Sequence, residues 1–166
     1  MAPMSEPLGA RLPPEILARL AAPDAGHLMG RAIQIATLDP EGRPHPALLS
    51  YGEVVATDPC TLRIATYAAS RTSDNLRRRG ALTLCLVEPG SVHYVKARAR
   101  ELPGGAPGHP GLARFEAAVE DVLVDHPDPG READAVIVAG VTFHARDEAA
   151  KRREWAELRA ALREPA

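Results

Sequence analysis

A chain of 166 residues, 45% hydrophobic and 25% charged, has the makeup of one soluble globular domain with room for a sizeable core. Its formal net charge of -2 creates no field that would draw nucleic acid or a membrane surface, which excludes both as expected partners. Two cysteines without CxxC spacing argue against a zinc site or a disulfide framework.

Residues 1–12 are rich in Pro and Gly and are expected to be disordered. Pro14 to Leu20 reads as a short helix, with proline in its first turn and Pro23 shortly beyond its end. From Ile33 to Leu38 apolar and small residues alternate, the period of a strand. Asp39-Pro40-Glu41-Gly42 supplies a turn, and the return strand, Arg43 to Tyr51, carries Pro44 and Pro46. Amides two apart on a strand point the same way, so both missing donors lie on one side. This strand is therefore expected at a sheet edge. Strands follow at 53–57 and 61–67, and Ser70 to Arg79 reads as a helix with a basic last turn and Gly80 at its end. Ala81 to Val87 and Val92 to Arg100 read as strands around a turn at Pro89-Gly90.

Leu102 to Gly111 is a Pro/Gly loop expected to be mobile. Leu112, Phe115, Val119, Val122 and Leu123 recur at helical spacing, predicting a helix. The apolar run Ala135 to Phe143 predicts a strand, and a closing helix runs from about Asp147 with Trp155, Leu158 and Leu162 as its stripe. Short strands joined by tight turns, with few peripheral helices, argue for a mostly β, antiparallel barrel of a single domain.

Two stretches carry a family resemblance. Ile35-Ala36-Thr37-Leu38-Asp39-Pro40-Glu41-Gly42-Arg43-Pro44-His45 resembles the opening hairpin of the FMN-binding split-barrel flavoproteins, the pyridoxamine 5′-phosphate oxidase-like family. Ala65 to Leu84, with Ser70-Arg71-Thr72-Ser73-Asp74-Asn75 at its centre, is similar to that family's strand, phosphate-binding turn, short helix and next strand. The likeness covers roughly residues 27 to 101. It implies a six- to seven-stranded antiparallel split β-barrel with short flanking helices, a homodimer with sites between subunits, bound FMN and flavin-dependent oxidoreductase activity. It also implies cofactor contacts at Ser50, Thr66, Tyr67, Ser70, Arg71, Thr72, Asn75 and Lys96.

The physical chemistry of the turn agrees with that role. A helix N-terminus offers free N–H groups and a partial positive charge to a phosphate, and Arg71 can add a charge-assisted contact. Ser70, Thr72 and Ser73 can add hydroxyls; the plainer alternative is that Ser70 or Thr72 only caps the helix and Arg71 is solvated. Many members carry Ser-Arg-Lys at this turn, whereas here the third residue is Thr72. That change leaves open weaker FMN binding, compensation by Lys96 or Arg98, a deazaflavin, or no cofactor. Tyr67 and Tyr51 are candidates to flank a flavin ring, or packing residues. His45, His93 and His144 show no ligand spacing; a distant haem-binding branch of split barrels keeps haem as an alternative, within a non-catalytic binding reading.

Cys60 and Cys85 lie in apolar runs without a flanking cation and are expected to be buried, slow-reacting thiols. The opening residues lack the apolar run of a signal peptide, and no stretch reaches the about 18 apolar residues of a spanning helix, so the cytoplasm is the expected location.

Overall fold

The computed structural model describes residues 5–132 and 134–166. Strand β1 (Ser5–Gly9) precedes helix α1 (Pro14–Ala21), and a hairpin of β2 (Ala32–Leu38) and β3 (Pro44–Ser50) leads to β4 (Val54–Asp58) and β5 (Thr61–Tyr67). Helix α2 (Arg71–Arg79) connects to β6 (Ala81–Glu88), β7 (Ser91–Leu102) and β8 (Leu112–Asp125), and α3 (Glu148–Arg163) ends the chain. The strands form one antiparallel sheet in the order β3-β2-β6-β7-β8-β5-β4, with β1 added on β8. Its ends, β3 and β4, are not hydrogen-bonded to each other, so the curled sheet is a split β-barrel.

The proline strand lies where its chemistry requires. All seven residues of β3 pair with β2, and the side without N–H donors at Pro44 and Pro46 faces no strand. Inside the barrel the alternating residues Ile33 and Ile35, Leu82, Leu84 and Leu86, and Val95, Ala97 and Ala99 form one continuous core. Small residues on β7 leave room for α2, and Gly80 at φ 68° lets the chain leave that helix against the Ala99 carbonyl.

Three expectations are corrected. Residues 112–123 form a strand, not a helix. Its buried apolar positions run 113, 115, 117, 119 and then 122, 124, because Glu120 is an extra residue opposite the Lys96–Ala97 step of β7. That bulge inserts a spacing of three into a period of two, which imitates helical periodicity. Residues 5–9 are ordered as β1, paired with Val122 to Asp125; the remainder of the expected disorder, residues 1–4, lies outside the described residues. Finally, 135–143 joins no ladder. It is tethered by Gly90 N–H to Ile137 O, Ala32 N–H to Val141 O and Phe143 N–H to Gly30 O, with Val136 and Val138 exposed.

The thiols also differ from expectation. Both are free and half-buried rather than enclosed. Cys60 sits in the β4–β5 turn with the Arg11 guanidinium 3.6 Å from its sulfur, while burial raises the Cys85 thiol pKa.

Two helices are fastened to the barrel by one buried cation. Arg159 of α3 is fully buried and donates to the carbonyls of Tyr51, Val54, Leu20 and Ala22 at 2.5, 2.9, 2.8 and 2.6 Å. Burial lowers its pKa to about 10, which leaves it charged at neutral pH. Replacing Arg159 with Leu strands four carbonyls in the interior, so stability should fall by about 3–5 kcal/mol. Exposed Arg153→Leu on the same helix should change it by less than about 0.5 kcal/mol. Urea unfolding midpoints of the two variants check the contrast.

Candidate functional site

The turn between β5 and α2 is built from hydroxyls. Ser70 caps α2, its Oγ accepting from the Ser73 amide at 3.1 Å. Ser73, fully buried, donates to the Tyr67 carbonyl at 2.7 Å and lies 2.6 Å from the Thr66 hydroxyl. Asn75, also buried, donates to Thr37 Oγ1 at 3.0 Å and so ties α2 to β2. Thr66, Ser73 and Asn75 thus support the turn from behind, the two hydroxyls and the Asn75 side-chain N–H already partnered. The capping alternative holds for Ser70.

What remains available is at the front. The amides of Arg71 and Thr72 find no acceptor among the described residues, as expected for the first two positions of a helix. The Arg71 side chain is exposed and forms no ion pair among them, unlike Arg77, which Asp74 and Glu101 hold. Thr72 is largely buried, at 6% exposure, but its hydroxyl has no hydrogen-bond partner among the described residues and is not fully enclosed. Two free amides, a guanidinium and a hydroxyl suit the phosphate of FMN, so the residues present fit that group.

Neither candidate replacement for the missing lysine joins this turn. Lys96 stands on the outer face of β7, paired with Asp121 at 3.2 Å. Arg98 pairs with Glu120 and donates to the Arg79 carbonyl, at the opposite end of α2 from Ser70.

Beside the turn, Tyr67 is 72% exposed and borders a cleft of about 840 Å³. One wall is the end of β3 with Leu48, Ser50 and Glu53; the other is α3 with Trp155, joined by Phe143, whose ring lies 6.3 Å from that of Trp155. A volume of this size suits a small-molecule ligand. Trp155 packs so closely on Gly52 that a Cβ there would overlap its ring. Tyr51, by contrast, is buried and contacts Glu88 at 3.3 Å, and burial raises its pKa to about 12, so it is a packing residue. Sequence reasoning singled out Ser50 and Tyr67 but missed Glu53, Phe143 and the role of α3 as the opposite wall, whose residues lie about a hundred positions away along the chain.

A family model described as pyridoxamine 5′-phosphate oxidase matches residues 28–162. The chain belongs to the pyridoxamine 5′-phosphate oxidase family. The match runs through α3, well beyond the 27–101 stretch that carries the resemblance in sequence. YclD of Bacillus subtilis, described as uncharacterized, is 30% identical over 94 residues, covering 57% of this chain and 61% of that protein. This chain therefore spans less than two thirds of that relative's length. Among solved structures, a candidate pyridoxamine 5′-phosphate oxidase from Lactobacillus delbrueckii superposes with a TM-score of 0.54 at 16% identity. That match covers 70% of this chain and 98% of the other, and it supports the family's fold.

The two classes of hydroxyl should separate in stability measurements. Ser73→Ala removes a buried hydroxyl bonded to Thr66, Ser70 and the Tyr67 carbonyl, although that carbonyl keeps the Ser70 amide, and should cost about 1–2 kcal/mol. Arg71→Ala should cost less than about 0.5 kcal/mol, because nothing in the fold leans on that side chain. Chemical denaturation reads both.

Proposed function

We propose that this protein is an FMN-dependent oxidoreductase of the pyridoxamine 5′-phosphate oxidase family, acting as a homodimer. The observation that carries the reading is the front of the 70–72 turn: a capped helix start with two free amides and an unpaired Arg71, beside an exposed Tyr67 at the mouth of an aromatic cleft. Arg71 and Thr72 would hold the phosphate. Tyr67 and the β3 end near Ser50 would border the ring. When bound, the flavin supplies the hydride and electron chemistry, and the chain's contribution is to bind it, orient it and keep water from one face.

Family membership supports the flavin, and the surface supports the second subunit. Leu48, Val136, Val138 and Phe143 are exposed apolar residues, more than a small monomer normally leaves open. Light scattering at micromolar concentration should therefore give a dimer mass; a monomer would count against the assembly.

Purified protein should show the visible bands of oxidised flavin; a Soret band or a colourless protein that takes up no FMN would count against the reading. Arg71→Ala removes a charge-assisted contact worth about 1.5–3 kcal/mol, so FMN should bind about ten- to a hundredfold more weakly. Thr72→Lys restores the commoner family pattern and should tighten FMN. Riboflavin, which lacks the phosphate, should respond to neither change. Equal weakening of both ligands by Arg71→Ala would remove the phosphate from this turn.

A further inference from the structure

We infer that Glu53 is the specificity-determining residue of the cleft, selecting a planar aromatic ligand whose edge carries N–H donors and positive charge. The inference rests on reading this cleft as the ligand face, but not on the identity of the cofactor.

Glu53 is fixed before any ligand arrives. Its amide donates to the Ser50 carbonyl at 3.1 Å, its carbonyl accepts from the Ala65 amide at 2.9 Å, and its Oε2 accepts from the Ser50 amide at 2.6 Å. The side chain is thus locked across the tight turn that ends β3. The second oxygen, Oε1, has no hydrogen-bond partner among the described residues and is not enclosed, and Glu53 lines the cleft. A positioned carboxylate with one open oxygen is an acceptor waiting for a donor.

Its surroundings narrow the class of that donor. Trp155, almost wholly buried, Phe143 and the exposed Tyr67 line the cleft, and an aromatic lining favours a flat aromatic body and attracts cations. Lys151 forms no ion pair with Glu53 among the described residues; its ammonium is held by Glu154 at 2.6 Å, and the two act on the Glu53 carboxyl in opposite senses. Glu157 adds a further carboxylate to the lining and Arg146 a further cation, neither in an ion pair among the described residues. A carboxylate or sulfonate approaching Glu53 would meet like charge, whereas an amino-bearing or protonated heteroaromatic ring would find an acceptor.

Partial burial holds the Glu53 carboxyl above the usual range, with the hydrogen bond from the Ser50 amide opposing this. A raised carboxyl carries its charge only above that pKa. Selection for a cation should therefore be present at neutral pH and fade as the pH falls, starting earlier than for an ordinary glutamate. Other groups facing the cleft also titrate or carry charge: Glu154, Glu157 and Lys151 on α3, His144 and Arg146 before it, and His109 in the loop after β7. The Glu53→Gln variant, which keeps them all, removes their share.

The test uses two fluorescent probes and the full chain. Proflavine, a flat diaminoacridine cation, should bind the wild type, and Glu53→Gln should weaken it about tenfold at neutral pH. The anion 1-anilinonaphthalene-8-sulfonate should be unaffected or bind more tightly. Proflavine affinity should fall on acidification in the wild type and be nearly flat in Glu53→Gln. NMR of the Glu53 carboxyl in the unmutated protein should show its pKa lowered by proflavine, a readout that no folding defect can imitate. Unchanged proflavine binding in Glu53→Gln, an unmoved carboxyl, or equal loss of both probes would overturn the inference. Proflavine selectivity in a protein that binds no flavin would uphold it while removing the cofactor reading.

Discussion

The structure depends on where one buried guanidinium finds its acceptors. Arg159 lies within the interior with no carboxylate among its hydrogen-bond partners; it is satisfied by four main-chain carbonyls drawn from the end of α1 and the turn between β3 and β4. Taking a charge out of water is costly unless its donors are paired, and here most of them are. The carbonyls of Leu20 and Ala22 lie at the C-terminal end of α1, where the helix dipole adds favourable potential for a cation. Neighbouring Arg163 reinforces the same point through the carbonyls of Ala21 and Ala22. At this same C-terminal end of α3, Arg114 and Arg63 reach from the barrel to the Glu164 carbonyl.

This fastening explains why a cleft exists. With α3 held at Arg159, Trp155 one turn earlier is pressed onto Gly52, and the helix stands opposite the end of β3. The turn that receives the Arg159 bonds contains Tyr51 and Val54, which flank Gly52 and Glu53. One interaction therefore sets both walls of the cleft and the attitude of the carboxyl between them. The hydroxyl-built start of α2 is a separate unit, fixed by Ser73, Thr66 and Asn75, and it needs nothing from α3. The candidate site joins a locally determined turn with free helix-start amides to a cleft that only long-range packing creates.

How much was legible in the sequence follows that division. The hairpin with its paired prolines, the cap at Ser70, the glycine at the end of α2 and the edge position of β3 all rest on interactions a few residues apart. Each was read correctly. Strand β8 was misread because a single bulge at Glu120 shifts the phase of its buried residues, and a phase shift in a strand looks like a helix when its partner is unseen. The run 135–143 was misread for the opposite reason. Its apolar side chains have the composition of a strand, but the edges available to it offer only isolated hydrogen bonds. Lys96, a cofactor contact that the resemblance implies, stands on the outer face of β7, towards Asp121, a placement set by the pleat of the strand.

The sequence by itself determined the strand-and-turn framework, the family and the local chemistry of the 70–72 turn, because dihedral preferences, capping and alternation act over short distances. Only the tertiary structure decided which polar groups remain free. Ser73 and Asn75 are as polar as Arg71, yet packing consumes the first two and leaves the third open. It also decided that Glu53, unremarkable in a linear reading, faces Trp155 across a cleft. Hydrogen-bond satisfaction is a property of the whole folded chain, since each donor is spent on whichever acceptor the packing brings near, and no spacing rule can assign partners a hundred residues apart.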